Sequence, residues 1–115
     1  MEARARLRNY RVSAQKARLV ANEIRGRGVD DALTILDLST KRFAKPLAKL
    51  VRSAVANADE KNNRDHAGID LDNLVVKEVT VDQGSSMWRI RARAQGRAAW
   101  IQHRTSHIQV VLNED

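Results

Sequence analysis

Arg89, Arg91 and Arg93 alternate along the chain, and Arg97 and Arg104 follow in the same stretch, Gly84 to His107. From Gln83 to Asn113 there is no Asp or Glu. Side chains at every second strand position share one face, and guanidinium forks grip phosphate oxygens in pairs. The chemistry on offer is therefore capture of a polyanion, each arginine displacing condensed counterions from a phosphate. A charge run in general is more often a solvated loop. Two features count against that here. The arginines alternate, and apolar Met87, Trp88, Ile90, Trp100 and Ile101 are interleaved with them, which a disordered linker would not need. The two tryptophans offer stacking on bases. Packing across a hairpin, on each other or on aliphatic neighbours, accounts for them equally well.

Other constellations offer less. His103 and His107 are four apart, which on a strand means about 13 Å, too far to share one ion. With no Cys in the chain and no acid nearby, no metal site is expected. Ser106-His107 joins a nucleophile to a base in sequence only, because strand neighbours point to opposite faces. No Gly-rich phosphate loop follows a strand, and acid–base chemistry on an acid-free surface lacks a participant. The expectation is binding without catalysis and without a cofactor.

A row of arginines at strand spacing needs a hairpin to position it. An apolar strand-like run, Leu74 to Val81, precedes the stretch, and another, Ile108 to Leu112, follows it. Ala94-Gln95-Gly96 lies about midway, with Gly96 suited to a turn position of positive φ. The pattern predicts a long hairpin whose base belongs to a sheet and whose far half projects. A lone hairpin is marginal in water, and this one repels itself. It is expected to be mobile in the free protein and ordered by a surrounding polyanion.

With 115 residues and a formal charge of +7, one domain is expected, and a pI near 10.6 favours a nucleic-acid partner. The body is read as residues 1–82 and 106–115, and the protruding basic hairpin as about 83–105. Residues 1–29 hold eight Arg/Lys against Glu2 and Glu23, whereas residues 30–82 are nearly neutral. No apolar run is long enough to span a bilayer, and Met-Glu-Ala-Arg does not begin a signal peptide, so a soluble cytoplasmic protein is expected.

Ala3, Ala5 and Leu7 alternate with Arg4, Arg6 and Arg8, a half-buried strand with a basic outer face; a frayed tail competes at Met1 to Arg4. Ser13 suits the N-cap of a helix whose apolar stripe is Ala17, Val20, Ala21 and Ile24, closed by Gly26. Lys16, Arg18 and Arg25 lie off that stripe and, with Arg11, extend the basic surface. A second helix is expected over Asp30 to Leu38. The third and longest has Ala44, Leu47, Ala48, Val51, Ala54, Val55 and Ala58 at helical period, with Ser39 or Thr40 as a cap. Pro46 suggests a start near Lys45 or a bend. Asp59 to Asp70 reads as a polar loop, and Val75, Val79 and Val81 as one strand face. The sum is α+β: a three-stranded antiparallel sheet packed with three helices, carrying an extended hairpin.

Several blocks together resemble one family. They are Ser13-Ala14-Gln15-Lys16-Ala17-Arg18-Leu19-Val20, Ile24-Arg25-Gly26, Ser53-Ala54-Val55-Ala56-Asn57-Ala58, Arg93-Ala94-Gln95-Gly96-Arg97-Ala98 and Arg104-Thr105-Ser106-His107-Ile108. In order and spacing the set resembles the bacterial large-subunit ribosomal protein family L twenty-two, over nearly the whole chain. The resemblance implies a small α+β body seated on large-subunit ribosomal RNA near the tunnel exit, a hairpin reaching inward, and a part in ribosome assembly. It implies that Ser13, Lys16, Arg18 and Arg25 face RNA, and that Arg89, Arg93, Gly96, Arg97, Arg104, Thr105, Ser106 and His107 line the hairpin. The residues themselves add Arg6, Arg8, Arg11 and Arg91. The tip, Arg93, Ala94, Gln95, Gly96 and Arg97, would form tunnel wall and meet the nascent polypeptide. The implied partners are ribosomal RNA and neighbouring ribosomal proteins, with no membrane and no homo-oligomer. Trp88, Gln95, Trp100 and His103 stand where that family often has basic residues. A basic architectural DNA-binding protein is the alternative; an enzyme acting on RNA is disfavoured by the missing acid–base groups.

Overall fold

Alternation puts the first strand where it was expected, and the computed structural model, which describes residues 2–65, 68, 70–92 and 94–114, shows what it pairs with. The order is β1 (Glu2–Tyr10), α1 (Ala14–Ile24), α2 (Val29–Leu38), α3 (Ala44–Asp65), a 3-10 turn (Leu71–Asn73), β2 (Leu74–Gln83), β3 (Met87–Ala92), the Ala94–Gly96 turn, β4 (Ala98–His103) and β5 (Ser106–Glu114). Strands β1, β5 and β2 form a three-stranded antiparallel sheet with β5 in the centre, and β3 pairs only with β4. The fold is α+β, with helices on the sheet and a separate two-stranded ribbon.

Each helix buries the stripe its spacing dictates. In α1, Ala17, Val20, Ala21 and Ile24 are buried, and the Ser13 side chain accepts the Lys16 N–H at 3.4 Å. Gly26, at φ +81, ends the helix, and its N–H donates to Val76 O at 2.8 Å. The link into α2 thereby runs along the open edge of β2. Arg18 and Arg25 cover the rest of that edge, donating to Val81 O at 2.9 Å and Val79 O at 2.7 Å. An unpaired strand edge invites intermolecular pairing, and covering it removes the template.

Three expectations need correction, the first being that neither Ser39 nor Thr40 caps the third helix: α3 begins at Ala44, and Ser39 is the C-cap of α2. The polar stretch Asp59 to Asp70, of which His66, Ala67 and Ile69 lie outside the described residues, is not a loop over its first half: α3 continues to Asp65. No helix breaker interrupts it, and its side chains hold the edge of β1, with Asn57 Nδ2 donating to Arg4 O at 2.7 Å and Lys61 Nζ to Glu2 O at 3.2 Å. Pro46 causes no bend because it sits in the first turn, where helix N–H groups lack intrahelical partners anyway. In β2 the buried side chains are Leu74, Val76, Val79 and Val81, not Val75. A bulge between Val76 and Glu78 inserts one residue and moves the following side chains to the other face.

The core draws on all three helices and on β1, β2 and β5, and takes nothing from the described residues of 87–103. The molecule is elongated, 65 × 27 × 15 Å with a radius of gyration of 17.5 Å, against about 13 Å for a compact chain of this length. The excess is the ribbon.

Candidate nucleic-acid interface

The ribbon leaves the body through a tight neck. The Gly84 N–H donates to Thr105 O at 2.9 Å, the Thr105 hydroxyl to Ser85 O at 2.5 Å, and the Ser106 hydroxyl to Val12 O at 2.8 Å. A Cβ on Gly84 would lie 2.6 Å from Thr105 Oγ1 and 3.2 Å from His107 Nε2, so only glycine fits without a shift. On the far side, β1 has a bulge between Leu7 and Tyr10 with Asn9 at φ 55. The N–H freed there donates to His107 Nδ1 at 3.1 Å. These bonds fix the direction in which the ribbon points.

Register sorts the ribbon into two chemically different faces. Directly opposed residues in an antiparallel pair lie on the same side. Trp88 faces Gln102, Ile90 faces Trp100, and Ala92 faces Ala98; this side carries no charge. Met87 faces His103, Arg89 faces Ile101, and Arg91 faces Ala99; this side carries the guanidiniums. Every residue of β3 is exposed. At the tip, Gly96 has the positive φ expected of it, and Gln95 shares the left-handed region at φ 63. Arg93 lies outside the described residues. Among the described residues no ion pair involves the ribbon; the pairs present use Glu2, Glu23, Asp37 and Asp65.

Below the neck, basic side chains of the body converge on a cleft of about 590 Å³ lined by Arg11, Ser13, Lys16, Lys41, Arg42 and Arg104, over a floor that includes Phe43 and Leu19. No carboxylate lines it. Arg11 Nη2 donates to His103 Nδ1 at 2.8 Å, tying the cleft to the foot of β4. A second cleft, of about 550 Å³, holds Arg6, Arg8, His107 and one acid, Asp82. The structure thus gathers the expected residues into three patches: Arg6, Arg8 and His107; Arg11, Ser13, Lys16 and Arg104; Arg89 and Arg91, with Arg97 exposed at the tip.

The family profile for ribosomal protein L22p/L17e matches residues 5–113. The chain belongs to this family. It is 54% identical to large ribosomal subunit protein uL22 of Syntrophus aciditrophicus (strain SB) over 114 residues, covering 99% of each chain. It is 51% identical to large ribosomal subunit protein uL22 of Desulfotalea psychrophila (strain LSv54 / DSM 12343) over 115 residues, covering both chains in full.

Within this ribosomal protein, four expected contact residues hold the body or the neck together. Thr105 and Ser106 are buried, at 7% and 0% exposure, and their hydroxyls hold the neck rather than reach the surface. Arg18 and Arg25 spend donors on the β2 edge, although a guanidinium has five N–H groups and both side chains remain exposed. Lys41 and Arg42 were not singled out from the sequence, because they sit in the nearly neutral middle of the chain between α2 and α3. Only folding carries them beside Arg11 and Lys16; no local spacing could have signalled that.

Proposed function

We propose that the chain seats on large-subunit ribosomal RNA through the two basic clefts at its neck and runs its ribbon between RNA segments. The coarse role follows from the family: a structural constituent of the large ribosomal subunit, in the cytoplasm. In the finer reading, Arg6, Arg8, Arg11, Lys16, Arg42 and Arg104 take phosphates around the neck, while Arg89, Arg91, Arg93 and Arg97 take them along the finger. Arg18 and Arg25 add phosphate contacts beside β2. The tip, residues 93–97, lines the polypeptide exit tunnel and meets the nascent chain. The role is structural, supporting RNA assembly beside neighbouring ribosomal proteins, with one copy per site.

One observation carries this reading: a ribbon with no core of its own presents guanidiniums that have no acid within reach. Phosphates supply the missing counter-charge, and shape and backbone are read more than sequence. The test is sedimentation of the tagged protein through a gradient with large subunits. Co-migration that duplex DNA at equal salt does not compete away is expected. A chain that stays at the top of the gradient, or that duplex DNA strips from the RNA, contradicts the proposal.

A further inference from the structure

The two faces of the ribbon call for two kinds of RNA contact, and phosphate capture uses only one of them. Trp88 and Trp100 are 58% and 68% exposed, and Ile90 between them is 63% exposed. They are not packed away across the hairpin: Trp88 opposes Gln102 and Trp100 opposes Ile90, so the two residues are diagonal neighbours on one face, with backbone positions roughly 7–8 Å apart. The remaining members of the face, Ala92, Ala98 and Gln102, are small or uncharged. An apolar aromatic face this exposed marks an interaction site rather than a free surface.

We propose that the Trp88–Trp100 face is a stacking platform for unpaired bases of ribosomal RNA, opposite the face whose Arg89 and Arg91 hold phosphates. Charge complementarity selects the occupant. The stretch from Gln83 to Asn113 carries no acid, so whatever surrounds this finger is a polyanion on all sides. A polyanionic nucleic acid offers an uncharged aromatic face one thing, the π-face of a base, and stacking there is tolerant of sequence. A paired helix keeps its bases stacked internally and presents phosphates and grooves instead. The platform therefore selects loops, bulges or single-stranded segments. The inference rests on the RNA-binding reading of the chain and adds which part of the RNA meets which side of the ribbon.

Trp88 and Trp100 are the only tryptophans in the chain, so intrinsic tryptophan fluorescence reports on this face alone. The intact protein is titrated with large-subunit ribosomal RNA, with single-stranded oligoadenylate, and with a fully paired RNA duplex of equal phosphate number. Quenching by the first two and little by the duplex is expected. Trp88→Ala and Trp100→Ala should each weaken single-strand binding about tenfold without changing its salt dependence, and Trp88→Phe and Trp100→Phe should restore most of it. Arg89→Gln and Arg91→Gln should instead each lower the slope of log affinity against log salt by about 0.7 on single strands. Fluorescence unmoved at saturating ribosomal RNA, equal quenching by duplex, or Trp→Ala variants that change the salt slope as the Arg variants do would overturn the platform. Failure of the intact chain to bind ribosomal RNA at all would instead remove the RNA-binding reading beneath it.

Discussion

The body and the ribbon are built from the same local rules and held by different things. In the body, alternation on β5 puts Ile108, Val110 and Leu112 under helices, each fully buried. In the ribbon, equally regular alternation on β3 buries nothing. Strand pattern specifies pairing and faces; it does not supply a layer to pack on. The body covers its sheet with helices and its β2 edge with arginines, whereas the ribbon leaves both of its faces open. What differs is the source of the second layer: in the body it is the chain itself, and in the ribbon, on the proposed reading, it is the RNA.

The largest expected effect lies wholly on the body side of that contrast. Leu47, on α3, has no exposed surface. Leu47→Ala should cost about 2–5 kcal/mol through lost burial and a residual cavity, a large share of a total near 5–15 kcal/mol. Urea unfolding of the intact chain measures it. A loss under about 1 kcal/mol would mean that the body core is looser than its burial implies, and would weaken the contrast.

The neck should respond next. Gly84→Ala places a methyl 2.6 Å from Thr105 Oγ1, and that hydroxyl is buried and committed to Ser85 O. Overpacking of this kind typically costs about 1–3 kcal/mol. The double variant with Thr105→Ala should recover part of the loss, because contacting sites are not additive. Strict additivity of the two changes would show that the neck accommodates the methyl elsewhere.

How far the sequence discloses this molecule follows the same division. The α1 stripe and its Ser13 cap, the alternation of β1 and the turn at Gly96 are local patterns, and the structure realises them. The bulge in β2 was not legible, because Val75 and Val76 are both apolar and only pairing with β5 selects which one is buried. The extension of α3 to Asp65 was hidden by polar composition; within it Lys61 finds a partner on β1, Glu2 O. In the interface, the arginine spacing was plain. The separation of Trp88 and Ile90 from Arg89 and Arg91 follows from their alternation, but the placement of Trp100 on the same uncharged face was not legible, because it depends on cross-strand register. Lys41 and Arg42 join the cleft only through tertiary placement, and Thr105 and Ser106 leave the surface for the same reason.

A smaller effect tests how the far end of the sheet is tied. Glu2 accepts hydrogen bonds from Lys77 and, at 3.1 Å, from Arg4. Glu2 and Val75 both pair with Asn113, so the Lys77 contact reaches from β1 past the central strand to β2. The Lys77 hydrogen bond, with help from Arg4, pulls the Glu2 carboxyl down to about 2 from an ordinary 4.5. A carboxyl lowered by folding contributes stability that is present above its unfolded value and lost as pH falls. Here the loss should run from about pH 4.5 toward pH 2. Glu2→Gln should flatten that part of the stability–pH curve, measured by thermal unfolding, and lower the neutral-pH value by the same amount, a small one because solvent screens the pair. An unchanged acid limb would show that the tie contributes nothing to the body.

The smallest expected effect is the sharpest for the comparison. Ile90 is as large and apolar as Ile108, and both sit on regular antiparallel strands. Ile90→Ala should change the unfolding free energy of the isolated protein by no more than about 0.5 kcal/mol, as surface substitutions do, because its side chain is already 63% exposed. Amides of β3 and β4 should exchange far faster than those of β5 in the same sample, since two strands without a third layer open locally at little cost. Binding large-subunit ribosomal RNA should slow exchange in β3 and β4 and leave β5 as it was. If Ile90→Ala destabilised the free protein as a core change does, or if β3 and β4 were already protected without RNA, the ribbon would have an internal source of order. It would then be an extension of the body rather than a segment stabilised by its partner.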